Sequence, residues 1–505
     1  MKHNNAKSFP AAIRRLPEAL LLLLAYPAWV RGGTHSGWQT PMPWLALGAW
    51  AVYLVAPDLT PVATTWRAAT VVARLRERLG RIARDPIFYV ALAFLGLVLA
   101  QWFNAGRALR FDYAANRWLL LPPRIPWLPS AVLPGEAREM WLWFFPAFTV
   151  LILVRNGLRT RAAVMRLFRL LLANAALLAV FGLIQYLSGT GRIYWTTLLQ
   201  GHFFASFGYS NHAASYFLLC LALGIGLVTD TVVRAFPNRP RAHALIGPGA
   251  ACALLIVAAH LTFSRAAIVM TWSVLAVGVI WFGVIGWALL PPAARLTALT
   301  GFAAMGLTAG CLVTWTDDVR LARLATSLSE TRAGHEYHVR GWQYTSALKI
   351  WRDYPWFGSG GWGYRHLAGH YMEHDQYAQL AQAGRANVHN DILQFLAEFG
   401  AVGTGMLMTA VGLCVPWVRA RRLMAVPLTL FVLFGAACVL AQSMLDLPFR
   451  SPAVLWLWCA LVAGVGTIAR EHRRMESEPA CIASAKPCAK SNGEPQRAFQ
   501  PPVRR

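Results

Sequence analysis

Long apolar runs alternate with short polar connections along the chain, and the runs approach the length a bilayer requires. About twelve are present, near residues 16–31, 42–57, 86–106, 139–154, 168–188, 213–233, 245–263, 266–290, 294–315, 391–416, 423–445 and 452–469. Each predicts a helix, because about 20 apolar residues at 1.5 Å rise cross a hydrocarbon core of about 30 Å. The pattern therefore predicts an all-α, polytopic membrane protein. The first run, "LPEALLLLLAYPAWV", also reads as a signal peptide whose cleavage leaves eleven spans. A retained first helix is preferred, since a cytoplasmic N-terminus then places every basic cluster inside, and an even count puts both termini in the cytoplasm. Residues 62–85 form a basic amphipathic stretch expected to lie on the inner membrane surface. The prolines of "LLLPPRIPWLPSAVLPG" bar a long helix within 107–138. Residues 316–390 make the longest polar connection, on the outer face, with an amphipathic helix over 341–352. The expected division is helices one to nine in 1–315, the outer loop in 316–390, three helices in 391–469 and a disordered basic tail in 470–505.

Composition agrees: the 505 residues are 57% hydrophobic and only 14% charged, too few charges to cover the soluble domains a chain of this length would form. The net charge of +25 suggests nucleic acid until its distribution is read. Arginines cluster at 67–84, 155–169, 234–241, 419–422 and 470–474, at every second connection. That is the positive-inside pattern of a membrane protein, so no nucleic-acid partner is expected. Six of the eight cysteines lie in apolar runs, and Cys481 and Cys488 lack metal-ligand spacing. No disulfide framework, metal site or cofactor is expected.

Candidate chemistry sits in polar islands at the outer boundary. "HLTFSRAAIVM" puts Ser264 and Arg265 at the tip of a helical hairpin. A cation embedded in apolar sequence there needs either a structural carboxylate partner or an anionic ligand. In "SFGYSNHAASYF", Asn211 has the position of an N-cap and His212 that of an interfacial residue. The 341–352 helix carries Arg340, Lys349 and Arg352, either snorkelling to the interface or facing an anion. His366, His370 and His374 recur at i, i+4 and i+8, but such ends are about 12 Å apart on a helix, beyond a single metal. A pair with Glu373 could hold zinc, although a solvated helix face explains the stripe more simply. Finally, "RANVHNDILQFLAEFG" sets His389 just before a helix that Asp391 and Gln394 are spaced to cap. Asp391, Gln394 and Glu398 then share one face, which should look into the bundle. His389 is either idle at the interface or a base, since imidazole accepts a proton near neutral pH. Together these residues suit displacement at an activated substrate, with arginines neutralising a pyrophosphate leaving group and a base taking the proton of an attacking hydroxyl.

Three blocks in order, "SFGYSNHAASYFLL", "LTFSRAAIVM", and "RGWQYTSALKIWRDYPWFGSGGWGY" running into "VHNDILQFLAEFGAVG", resemble the O-antigen ligase superfamily. That group holds O-antigen ligases, O-antigen polymerases and bacterial protein O-oligosaccharyltransferases. The resemblance implies about twelve transmembrane helices with a large periplasmic loop before the tenth, in the bacterial inner membrane. It implies metal-independent transfer of a glycan from undecaprenyl pyrophosphate to an acceptor hydroxyl on the periplasmic side. By motif position His389 is similar to the essential histidine, and Arg265 and Arg340 to the arginines that engage pyrophosphate, with Arg352 a less direct match. Asn211, Ser264, Asn390, Asp391 and Glu398 take supporting places. A ligase acting on lipid A–core is the leading expectation. A polymerase or a protein transferase shares the chemistry, and an anionic-lipid transporter is the distant rival. The insert "HLAGHYMEHDQYAQ" falls outside the motif and leaves the subfamily open.

Overall fold

The computed structural model describes residues 15–55, 68–106, 109–114, 117–120, 123–199, 202–235, 242–289, 292, 295, 307, 335–382, 387–415 and 426–484. Helices α1 (Arg15–Trp29) and α2 (Pro41–Val55) precede α3 (Ala68–Ala83), whose polar and apolar residues segregate as the basic stretch predicts. There follow α4 (Pro86–Phe103), α5 (Pro134–Gly157), α6 (Arg161–Leu187), α7 (Ser210–Ala235) and α8 (Ala242–Leu261). Next comes α9 (Arg265–Trp281), which continues through a π-helical turn, Phe282–Gly286. The long polar connection contributes α10 (His335–Asp353), α11 (Gly363–Leu367) and α12 (His374–Gln382). Helices α13 (Asp391–Cys414), α14 (Pro427–Gln442) and α15 (Pro452–Ser484) complete the chain. Two small hairpins, one pairing Leu109 with Leu120, decorate the connections. The protein is an all-α polytopic membrane protein.

Among the described residues eight helices are long and apolar enough to span a membrane. Three more expected positions hold shorter helices, α1 and α2 with 15 residues each and α14 with 16. At 1.5 Å per residue each is about 22–24 Å long, short of the hydrocarbon thickness. The run expected at 294–315 lies largely outside the described residues. The sequence reading ends the last helix at 469, whereas α15 continues to Ser484, its helix-forming Ala, Arg, Glu and Met residues extending it. Helices α7 and α15 form the centre, with 78% and 89% of their most apolar windows buried, against 28% for the peripheral α9.

The two ends of the bundle differ in charge. At one end Asp85 caps α4 and pairs with Arg155 at 2.7 Å, Asp230 pairs with Arg161 and Arg234, and Glu18 pairs with Arg166. At the other end the reversals into α7, α9, α13 and α15 gather. His202, on the approach to α7, bonds the Leu261 carbonyl at 3.1 Å beside the α8–α9 reversal. Asn211 and His389 both reach Asp446, between α14 and α15.

Helix α13 is broken at Gly400 (φ 64°, ψ −170°), and the break is filled by the loop after α10. Ser359 N and Gly360 N donate to the carbonyls of Ala397 and Glu398 at 2.9 and 2.8 Å. Ala401 N and Val402 N donate to Pro355 O and Trp356 O at 2.8 and 3.0 Å. Backbone groups freed inside a membrane helix are thus satisfied by protein, as the absence of water there demands. The close approach requires glycine on both sides. A Cβ on Gly358 would stand 2.3 Å from the Glu398 carbonyl, and one on Gly400 2.4 Å from that of Trp356. The "DYPWFGSGG" and "EFG" segments are therefore two halves of one joint. Gly400→Ala combines this overlap with a backbone region open almost only to glycine, and should cost roughly 3 kcal/mol or more. Thermal unfolding in detergent checks this: the midpoint falls by several degrees, whereas Gly405→Ala, where a Cβ meets nothing within 4 Å, leaves it unmoved.

Candidate active site at the rim of the bundle

His389 stands at the mouth of α13, on the last residue before the cap. Asn390 is the N-cap, its Oδ1 accepting from Leu393 N at 3.0 Å, so the cap lies one residue earlier than Asp391. Gln394 still reaches back, its Oε1 accepting from Val388 N at 3.1 Å. Tied on both sides, His389 holds a left-handed backbone (φ 53°), a strained state for a non-glycine residue and one found at functional positions. Its side chain is 35% exposed, whereas its partner Asp446 is 9% exposed. One edge of the ring is held and the other is open.

Nδ1 of His389 lies 3.2 Å from Asp446 Oδ1. Asp446 also accepts from Tyr209 Oη, 3.1 Å from both carboxylate oxygens, and from Asn211 Nδ2. Burial works to raise the Asp446 pKa, but the His389 bond and the nearby imidazoles hold it below the usual carboxylate range. Burial, then the Asp446 charge, push the Tyr209 phenol well up, so it stays a neutral donor. An ionised carboxylate only accepts, so its bond to Nδ1 places a proton there and leaves Nε2 as the lone-pair nitrogen. Arg340 stands alongside: its Nη1 donates to Leu445 O at 3.2 Å, one residue from Asp446, and its charge acts on Tyr209.

The reversal that carries Asp446 is pinned by a buried ion cluster. Arg450, 3% exposed, places Nη2 2.8 Å from Glu398 Oε2 and Nε 3.7 Å from Asp391 Oδ1. Asp391 Oδ2 accepts from Phe449 N at 2.9 Å, and Asp391 N donates to Ser443 O at 2.8 Å. Gln394 Nε2 donates to the other Glu398 oxygen at 2.9 Å. The Arg450 guanidinium also lies 4.6 Å from the ring centres of Trp362 and Phe395. Asp391 and Glu398 therefore face the bundle interior, as their shared face predicts, but their partner is Arg450 rather than His389.

The remaining expected residues divide. Asn211 lies within the first turn of α7 and serves Asp446 instead of capping the helix. Ser264 caps α9 through Ala267 N, and Arg265 follows it, exposed, at the same end of the bundle. Arg352 sits at the far end of α10, about 18 Å along the axis from Arg340, so one helix cannot offer both to one small group. His366, His370 and His374 fall on α11, on a 3₁₀ turn and at the start of α12, so they share no helix face. Among the described residues no three His, Cys, Asp or Glu side chains gather as a metal site. Asp446, Arg450 and Tyr209 were missed from sequence. The signal available for two of them is in "QSMLDLPFRSP", where two charges embedded in apolar sequence resemble the setting of Arg265.

These features define a multi-pass helical membrane protein with a histidine–aspartate pair at one rim. Residues 250–408, under a third of the chain, match the family model described as O-antigen ligase. The matched segment takes in Ser264, Arg265, Arg340 and His389 and ends before Asp446 and Arg450. No curated protein matches the chain.

Arg450→Ala leaves Glu398 and Asp391 buried without their cation and should cost about 3–5 kcal/mol. A large fall in the thermal midpoint of purified protein is expected, with Arg450→Lys recovering only part of it because a point charge cannot span both carboxylates.

Proposed function

We propose that this protein transfers a glycan from a polyprenyl-pyrophosphate carrier to an acceptor hydroxyl at the rim, acting most directly as a ligase onto lipid A–core. The observation that carries this reading is the His389–Asp446 pair, with one imidazole edge fixed and the other open, beside Arg340, and with His389 and Arg340 inside the segment that matches the O-antigen ligase family model. His389 Nε2 takes the proton of the acceptor hydroxyl as its oxygen bonds to the anomeric carbon. The bond from that carbon to the pyrophosphate oxygen breaks, and the pyrophosphate leaves with the electron pair. Arg340, joined by Arg265 from the neighbouring reversal, is assigned to the leaving charge, which forked guanidinium donors neutralise. Asp446 keeps the imidazole in the productive tautomer and stabilises it once protonated. The basic end of the bundle is assigned to the cytoplasm by the positive-inside bias, which turns the site toward the periplasm of a bacterial inner membrane. A polymerase extending the lipid-linked repeat, or a transferase acting on a protein hydroxyl, would use the same residues, and product identity separates them.

Reconstituted protein supplied with an undecaprenyl-pyrophosphate-linked glycan and lipid A–core should yield glycan-bearing lipid A–core. His389→Ala should lower the rate by about 10²–10⁴-fold. Retained transfer in this variant at normal protein level overturns the assignment. Asp446→Asn, which presents an amide N–H to the ring and favours the wrong tautomer, should lower kcat by about 10²-fold or more with little change in donor KM.

A further inference from the structure

The histidine-bearing segment after α10 is not absorbed by this chemistry, yet it lies against the loop that carries His389. Arg365 Nε donates to Asn387 Oδ1 at 3.4 Å, and Asn387 is two residues before His389, at most about 7 Å of chain. Next to it, His366 Nε2 lies 3.2 Å from Glu136 Oε1, on the first turn of α5, with these side chains 26% and 22% exposed and so open to a ligand. Arg365 is held over Trp362, its Cζ 3.2 Å from the ring centre, and its Nη1 is buried with no hydrogen-bond partner among the described residues. A buried guanidinium N–H without an acceptor costs free energy that a bound oxygen would recover. The charge around it decides which oxygen. Three carboxylates, Glu398, Glu136 and Glu139, act on Arg365, with Arg450 as the second cation. An anion entering here meets that excess of negative charge. A neutral hydroxylated ligand does not, and it can give protons to Glu136 while accepting from Arg365.

We propose that Arg365, Glu136, His366 and Asn387 form the subsite for the acceptor glycan, presenting its hydroxyl to His389, while the pyrophosphate keeps to the arginines outside this carboxylate cluster. This inference rests on the transferase reading. It gives the two substrates separate flanks of one histidine, sorted by charge.

The test is the dependence of transfer rate on purified lipid A–core at saturating lipid-linked donor, in reconstituted protein carrying Glu136→Gln or His366→Gln. His366 is partly exposed, so its variant keeps a folded protein available should Glu136→Gln not fold. The apparent acceptor KM should rise about 10-fold or more in each folded variant, with donor KM and kcat at saturating acceptor within about 2-fold of the parent. An unchanged acceptor KM, or a rise in donor KM in its place, overturns the subsite. The failures are separable. If His389→Ala retains transfer, the base assignment falls, while the acceptor KM of the Glu136→Gln and His366→Gln proteins still reports on the subsite.

Discussion

The site depends on one buried ion cluster. Arg450 reaches from the α14–α15 reversal into the mouth of α13 and meets Glu398 and Asp391 there, with both carboxylates at 0% exposure. Desolvating three charges is costly, and such a cluster contributes position more dependably than net stability. Position is what the proposed chemistry requires. Asp446 and Arg450 belong to the same short reversal, while His389 and Asp391 belong to the same helix mouth. Fixing Arg450 on Asp391 therefore brings Asp446 to His389, and the tautomer that leaves Nε2 open follows from that contact.

The joint at Gly400 extends the same logic to the polar connection. A continuous helix would need its carbonyls for itself, but the break exposes those of Ala397 and Glu398 to the 355–360 loop. Gln101 on α4 clamps the crossing by donating to Phe357 O at 2.8 Å. The helix that carries Glu398 toward Arg450 is thus locked to the segment that carries Trp362 and Arg365 toward the same place. A membrane helix is interrupted where interruption builds a site, and the interrupted backbone stays satisfied.

Much of this was legible in the chain. Apolar runs located the long helices among the described residues, because burial in lipid imposes a length. The capping-box spacing of Asp391 and Gln394 located the cap of α13 within one residue, and the polar face through Asp391, Gln394 and Glu398 pointed inward as it had to. The partners were not legible, because they are set by tertiary contacts between segments far apart in sequence. Asn211 has the spacing of a cap, and only the approach of α14 turns it onto Asp446. The three histidines have helical spacing, and only the turn at 368–370 separates them. Arg340 and Arg352 look equivalent on paper until the length of α10 parts them. Asp446 lies in a link whose two charges are a real signal, but a weak one without the fold that folds them inward.

The proposed function places a pyrophosphate leaving group on Arg340, with the open edge of His389 left to the acceptor hydroxyl. An experimental structure of the protein bound to a non-transferable polyprenyl pyrophosphate analogue tests it most directly. The diphosphate is predicted within hydrogen-bond reach of the Arg340 guanidinium, with His389 Nε2 on the acceptor side of the anomeric carbon, away from the leaving oxygen, and Nδ1 still on Asp446. A diphosphate seated among Glu136, Glu139 and Arg365, or remote from His389, would contradict it.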